Sequence, residues 1–299
     1  MTVNVSNQPQ QEASFAGSDR AAAPALVLVS TPIGNLKDLS LRAIETLSGV
    51  DAILCEDTRN SGVLLQNHGI KSKLLALHEH NETARIPALI AAMQQGARYA
   101  LISDAGTPLV SDPGYRLTRA AIEAGLPVSG IPGPNAAVLA LTLSGLPPQP
   151  FLFLGFLPVK SGPRQAVLER LRNAEAAGLN ATVILYEAPH RLAETLAEAA
   201  EILGPRPAAV CRELSKFYEE VRRDTLPALA AHYAAHAARG EITLVIGPAP
   251  DDPVSADDLD TALRAALAQL SLKDAVNAVT LATGLARKQV YARALALAG

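Results

Sequence analysis

The sequence predicts an α/β protein of two domains, the first built on a parallel sheet and the second on a mixed sheet, followed by a small helical module. Three observations carry this prediction. From residue 25, short runs rich in Val, Ile and Leu alternate with Ala/Leu-rich segments of helical spacing. "SGLPPQP" (144–150) interrupts the alternation with clustered prolines, after which a second alternating set begins. "GPAPDDPVSADD" (247–258) then reads as a linker ahead of three short helical patterns.

In chain order, "MTVNVSNQPQQEASFAGSDRAAAP" (1–24) is polar and poorly patterned, lacks the basic start and apolar stretch of a secretory signal, and is expected to be a disordered leader. The first domain, 25–147, is expected to hold strands at 25–30, 50–56, 73–78, 98–103 and 127–131. Helices fall at about 40–48, 60–68, 82–95, 114–124 and 135–144, with Gly96 and Gly125 as stops. Short βα connections and continuous apolar strands argue for a parallel sheet covered on both faces. The second domain, 148–248, has strands near 151–156, 181–186, 207–213, 218–224 and 241–246 and helices near 163–177, 190–203 and 226–238. "YEEVRRDTL" alternates like a strand with one solvated face, which makes this sheet mixed. In the terminal module, 255–299, helices at 257–269, 272–282 and 286–297 are expected. The last two resemble a helix-turn-helix, with Gly284 in the turn and Val279, Leu285, Val290 and Leu295 as core.

The 299 residues are 49% hydrophobic with a formal net charge of −3, enough for ordinary cores and without the basic excess of a protein that binds nucleic acid by bulk charge. Cys55 and Cys211 lie inside apolar runs and read as buried thiols, which suits a reducing cytoplasm. Every candidate membrane span is interrupted by Gly, Pro or a charge, so no membrane association is expected.

In an open parallel sheet the ligand lies beyond the carboxyl ends of the strands. The segments there are "TPIGNL", "EDTRNS", "HEHNE", "SDAGTPLVSDPG" and "PGPNAA". Any one of them could be turn chemistry. Five on one edge favour a site. In "SDAGTPLVSDPGY" (103–115), Gly106 and Gly114 permit close backbone approach and Asp104 and Asp112 supply acceptors. Asp112 with Pro113 can also be read as a helix N-cap and first helical residue. There is no phosphate-binding pattern. His78 with Glu82, or His80 with Glu79, could ligate a metal, but no third ligand with suitable spacing is evident, so no metal is expected.

"VSTPIGNLKDLSLRAIETL", "EDTRNS", "LHEHNE", "LISDAGTPLVSDPGYRL" and "IPGPNAAVLALTLSGLP", followed in order by "FLFLGFLP", "LYEAPHRL" and "CRELSKFYEE", resemble the ribosomal RNA small-subunit methyltransferase I family of the tetrapyrrole methylase superfamily over about residues 25–297. The resemblance implies a two-domain tetrapyrrole-methylase-like fold, usually in a homodimer, with the cofactor between the domains. It implies methyl transfer from S-adenosylmethionine to the ribose 2′-oxygen of a cytidine in small-subunit (16S) ribosomal RNA, in the assembled subunit and in the cytoplasm. Carried over by motif, the implied cofactor-binding residues are Pro32, Gly34, Asp104, Ala105, Gly106, Thr107, Pro108, Asn135 and Ala136, with Tyr186, Glu187, Arg212 and Glu213 from the second half. Asn135 stands where many relatives have Ser. The reaction needs a base for the ribose hydroxyl, for which Glu56, Asp57, His80 and Glu187 are candidates; Arg59, Arg287 and Lys288 are candidate RNA contacts.

Two other functions fit parts of the sequence. The same fold could methylate a tetrapyrrole or a protein side chain, since fold alone does not choose a substrate. A DNA-binding regulator could use residues 272–297, although it would have no need of five ligand-like strand ends, and Arg287 and Lys288 are a thin basic footprint.

Overall fold

The computed structural model describes residues 23–250, 256–283 and 287–298. Most of the expected leader, the core of the linker at 251–255, and Gly284 and Leu285 of the expected turn lie outside the described residues. The chain divides into two compact units. The first runs up to Leu139 and also takes in Glu213–Glu220; the second comprises Ala140–Arg212 and the chain from Val221 onward.

The first unit holds β1 (Leu26–Val29), β2 (Ala52–Cys55), β3 (Lys73–Ala76), β4 (Tyr99–Ile102) and β5 (Val128–Ile131), paired in the order β3-β2-β4-β1-β5 with every pair parallel. Helices α1 (Leu41–Ser48), α2 (Thr58–Asn67), α3 (Glu82–Gln94) and α4 (Tyr115–Glu123) cover it. The strands are apolar throughout because both faces are buried. Val27, Val29, Ile53 and Ile102 pack with Ala43, Leu47, Leu64 and Leu65 of α1 and α2, whereas Leu26, Leu54 and Leu101 pack with Leu89, Met93, Leu117 and Ala121 of α3 and α4. Each fully buried Leu or Ile contributes about 1.5–3 kcal/mol. Parallel pairing puts all five carboxyl ends on one edge, with β1 and β4 adjacent near the centre.

Helix starts follow local chemistry. Ser40 Oγ accepts from Ala43 N at 3.1 Å to cap α1, and a 3-10 turn at Leu36–Asp38, absent from the sequence reading, is opened by Asn35 Oδ1 accepting from Lys37 N. Helix α4 departs from expectation. Its cap is Gly114 at φ 113°, two residues after Asp112, because Leu101 and Leu109 side chains fill the space a Cβ would need. Glycine cannot supply a side-chain cap, and the buried Glu82 of α3 accepts from Leu117 N at 2.9 Å instead.

In the second unit, α5 (Ala136–Ser144), which begins in the first, leads to the mixed sheet β6-β7-β10-β8-β9. Its strands are β6 (Phe151–Phe156), β7 (Thr182–Glu187), β8 (Pro207–Arg212), β9 (Glu220–Thr225) and β10 (Ile242–Ile246). β6 and β7 run parallel, and β10 is antiparallel to both β7 and β8. Helices α6 (Ser161–Ala176), α7 (Leu192–Leu203) and α8 (Leu226–Ala235) share one core with it through Leu168, Leu196, Leu229 and Leu244. The terminal helices α9 (Ala256–Leu267), α10 (Leu272–Thr283) and α11 (Arg287–Ala298) pack around Leu263, Val276, Val279, Val290 and Ala294. Leu295, expected in that core, is 49% exposed. Position 294 follows 290 by one turn and takes the buried place; position 295 is rotated about 100° away from it.

Candidate active site

The carboxyl ends of β1, β4 and β5 are sewn together by their loops. Thr31 and Gly106 form an isolated antiparallel bridge, with Thr31 N donating to Gly106 O at 2.8 Å and Gly106 N to Thr31 O at 3.1 Å. Ser103 Oγ also donates to Gly106 O, at 3.0 Å. Thr107 Oγ1 donates to Pro134 O at 3.1 Å and accepts from Asn135 Nδ2 at 3.2 Å, while Asn135 Oδ1 receives Val138 N and starts α5. Thus Asn135 both caps a helix and holds Thr107. Pro32 and Pro108 are buried, Ala105 is exposed and Ala136 half-buried beside these contacts. The loop from Gly106 to Gly114 takes positive φ at both glycines and also at Leu109 (72°) and Ser111 (67°), a concentration of uncommon backbone conformations.

Two glycines of these loops meet packing needs inside the protein. A Cβ on Gly106 would point at Ile33 Cγ2 (3.2 Å) and Pro134 O (3.6 Å), so Gly106 serves its φ of +84° and loop-to-loop packing. A Cβ on Gly34 would lie 2.3 Å from Lys216 Cγ and 3.2 Å from Leu214 O. Gly34 therefore admits the 213–220 segment, which docks here and is further tied by Ser215 Oγ donating to Asp38 Oδ2 at 2.7 Å.

The acidic residues divide by role. Asp57 caps α2: its Oδ1 accepts from Arg59 N (2.8 Å) and Arg59 Nε (3.1 Å), and its Oδ2 from Arg59 Nη2 (2.7 Å). These Arg59 hydrogen bonds hold its carboxyl down at about 2. A carboxylate that binds protons so weakly is a poor base near neutrality, and the pairing ties the otherwise exposed Arg59 guanidinium to it. Asp104 is exposed and accepts from Asp57 N at 3.3 Å and Asn60 Nδ2 at 3.0 Å, linking the β4 loop to the start of α2. Asp112, half-buried, behaves oppositely to Asp57: burial first, then the negative charges of Glu56 and Asp104, push its carboxyl up to about 6. The sequence showed Asp112 as a turn or cap residue; its proximity to Glu56 arises only when β2 and β4 pair. Glu56 and His80 are exposed, the latter edge-on to His78 at 6.1 Å. As an expected outcome, Asp57→Asn keeps α2 capped, because Asn caps as well as Asp, and leaves turnover near the parent value in initial-rate assays at saturating RNA.

Glu187 is tied into the second unit. It is 3% exposed, its Oε1 accepts from Ala188 N at 2.8 Å, and its Oε2 accepts from Thr195 Oγ1 at 2.6 Å and Arg191 Nη2 at 3.4 Å. That carboxylate holds the β7–α7 turn together. Tyr186 packs edge-on to Phe153 at 4.9 Å, and Arg212 is half-buried at the end of β8. Glu213, at φ 51°, accepts from Lys216 Nζ at 2.8 Å and belongs to the first unit. Arg287 and Lys288 are exposed at the start of α11, whereas Arg293 is engaged by Asp260. Among the described residues there is no group of three or more His, Cys, Asp or Glu placed to hold a metal. His78 is bound to Asn81, and Glu82 is committed to α4.

With this geometry in place, the chain can be compared with known proteins. Residues 25–230 match the Tetrapyrrole (Corrin/Porphyrin) Methylases and residues 253–298 the RsmI C-terminal HTH domain. A protein of Mesorhizobium japonicum named ribosomal RNA small subunit methyltransferase I is 50% identical over 280 residues, covering 93% of this chain and 94% of that one. The chain belongs to this methyltransferase family. An Erythrobacter litoralis protein of the same name is 48% identical over 274 residues, covering 92% and 95%. Among solved structures, a diphthine synthase superposes with a TM-score of 0.57 at 16% identity over 74% of this chain and 89% of that one, a likeness of fold alone. The terminal helices match a domain of the methyltransferase family itself, which removes the DNA-binding regulator as a reading. Family membership implies a methyl donor. No helix among the described residues is long and apolar enough to cross a membrane.

Proposed function

We propose that the protein transfers a methyl group from S-adenosylmethionine to the ribose 2′-oxygen of a cytidine in small-subunit ribosomal RNA. The observation that carries this reading is the near full-length identity to proteins named ribosomal RNA small subunit methyltransferase I. Methylation of a tetrapyrrole has the broad family match over 25–230 and fold likeness at 22% identity behind it, and methylation of a protein side chain fold likeness at 16% alone; neither has a near full-length relative of that name. The family resemblance further supports the assembled small subunit as substrate, a homodimeric enzyme and a cytoplasmic location.

The residues present suit a positively charged nucleoside. Glu56, Asp104 and Asp112 create negative potential at the ends of β2 and β4, as the upward shift of Asp112 records. The bridged loops at 30–34, 104–108 and 133–136 offer backbone groups and small side chains to a purine nucleoside. Residues proposed to hold the donor are Pro32, Asp104, Ala105, Gly106, Thr107, Pro108, Asn135 and Ala136. S-adenosylmethionine supplies an electrophilic methyl on a sulfonium. The chain has to orient the ribose hydroxyl and accept its proton as the new carbon–oxygen bond forms. Asp112 is the carboxylate best suited to take that proton, since its raised affinity still leaves it ionised above pH 6. Arg287 and Lys288 are proposed phosphate contacts that position RNA.

The test is incubation of the purified protein with labelled S-adenosylmethionine and either small subunits or naked small-subunit RNA, followed by mass mapping. One 2′-O-methylated cytidine is expected. Methyl groups on a base, on protein or nowhere would overturn the proposal.

A further inference from the structure

The segment between β8 and β9 carries two aromatic residues that the folding of the chain leaves in solvent. Phe217 is 92% exposed and Tyr218 68%, in a sequence with only five Phe, six Tyr and no Trp. Their rings meet edge to face, with centroids 4.9 Å apart and planes at 89°, so the pair spends one face of one ring on the contact and leaves the other faces to solvent. The segment is nevertheless held firmly. Leu214 is buried, Lys216 lies against Gly34, Ser215 Oγ reaches Asp38, and Glu219 Oε2 accepts from Ser215 N at 2.7 Å. Backbone bonds from Lys216 N to Glu213 O (3.0 Å) and from Glu219 N to Lys216 O (3.2 Å) close two successive turns, through φ values of 51° at Glu213 and 66° at Ser215. The anchored residues surround Phe217 and Tyr218 on both sides. The rings are thus presented on a preorganised support.

We infer that Phe217 and Tyr218 form a stacking platform for an unpaired base of the RNA substrate, placed beside the β1 loop by the docking of residues 213–220 on Gly34 and Asp38. The inference rests on the proposed RNA methylation. RNA is recognised in sequence-tolerant fashion by aromatic faces that receive splayed-out bases, and a ring fixed in advance loses little entropy on stacking. Lys37, exposed on the turn that Ser215 joins, places positive charge where a nucleotide's phosphate would follow. Of the carboxylates nearby, Asp38 and Glu219 are engaged by Ser215 and Glu213 by Lys216. A covering second copy of the chain is the competing occupant.

The probe is a short single-stranded RNA carrying 2-aminopurine, whose fluorescence is quenched by stacking. The paired substitutions Phe217→Leu and Tyr218→Leu keep apolar bulk and remove both ring faces. Quenching should disappear and the KM for small-subunit RNA should rise about 10-fold or more, the scale of one lost base stack. The kcat and the affinity for S-adenosylmethionine should be unchanged, and Phe217→Tyr should behave as the parent. Unchanged quenching and KM in the doubly substituted protein would overturn the inference. So would conversion of a parent dimer to a monomer in sedimentation, which would make the pair a subunit contact. Should the parent protein methylate no RNA, the proposed function fails, while the quenching assay still reports separately on the platform.

Discussion

Asp112→Asn is expected to lower methyl transfer by about 10²-fold or more, the loss typical of a missing general base, while leaving S-adenosylmethionine binding intact. The variant should also be more stable than the parent at pH 8. Burial and the charges of Glu56 and Asp104 raise the Asp112 carboxyl from 3.8 to about 6 in the folded protein. The folded state therefore binds this proton more tightly than the unfolded chain does. Its contribution to stability is complete below the unfolded value near 4 and is lost as pH rises through about 6. Asn is neutral throughout and escapes that loss. In the parent, kcat should fall on the acid side with a limb near pH 6, as Asp112 becomes protonated. Thermal denaturation at pH 4 and pH 8, paired with pH–rate profiles, separates the alternatives. A variant that is stabilised at pH 8 but fully active would make Asp112 a strained bystander. One that is inactive with no change in the pH dependence of stability would place the cause elsewhere in the loop. Glu56, exposed and directly after β2, would then be the next carboxylate to replace.

The sequence disclosed the elements of this site more readily than their division of labour. Continuous apolar strands such as "LVLV" and "AILC" announce a sheet buried on both faces, and parallel pairing then forces all their ends onto one edge. That logic brought Thr31, Glu56, Asp104 and Asn135 to one region without any structure. What sequence could not disclose was which acid is tied down. Asp57 is saturated by a residue two positions on, and Asp112 is raised by its burial first and then by residues 56 and 8 positions away. Both arise from side-chain geometry that spacing does not encode. The same holds in the second unit, where charge counting treats Arg164 and Glu198 as surface residues. Arg164 is wholly buried, with Nε donating to Glu198 Oε2 at 2.5 Å and Nη2 to Glu194 at 2.8 Å. Arg206 is likewise bound to Glu175 at 2.6 Å. Such internal pairs make a cation count uninformative about RNA-facing charge. The 213–220 segment is the clearest case. Its motif "CRELSKFYEE" lies far along the chain from "TPIGNL", and the empty side of Gly34, with the Ser215–Asp38 hydrogen bond, brings the two together.

Gly106→Val is expected to abolish methyl-donor binding and to destabilise the first unit at the same time. Gly106 is buried at φ +84°, where a branched side chain is strained at a cost of about 1–2 kcal/mol before any contact is considered. Its Cβ would then press on Ile33 Cγ2 at 3.2 Å, and the added methyls would meet Ile33 and the Pro134 carbonyl. Overpacking of this kind costs about 1–3 kcal/mol. Relief by movement would break the Thr31–Gly106 bridge and release the carbonyl that Ser103 Oγ also bonds. The β1, β4 and β5 loops would lose their common register, and the backbone groups offered to the nucleoside with it. Gly106→Asn distinguishes this account from one of simple ligand clearance. Asn tolerates positive φ better than Val, so if backbone strain and branching dominate, Gly106→Asn should recover part of both stability and binding. If the glycine only makes room for the donor, Asn and Val should each lose binding while melting like the parent. Calorimetric titration with S-adenosylmethionine beside thermal denaturation reads both quantities on the same preparations, and normal binding by Gly106→Val would reduce the 103–114 loop to an ordinary turn.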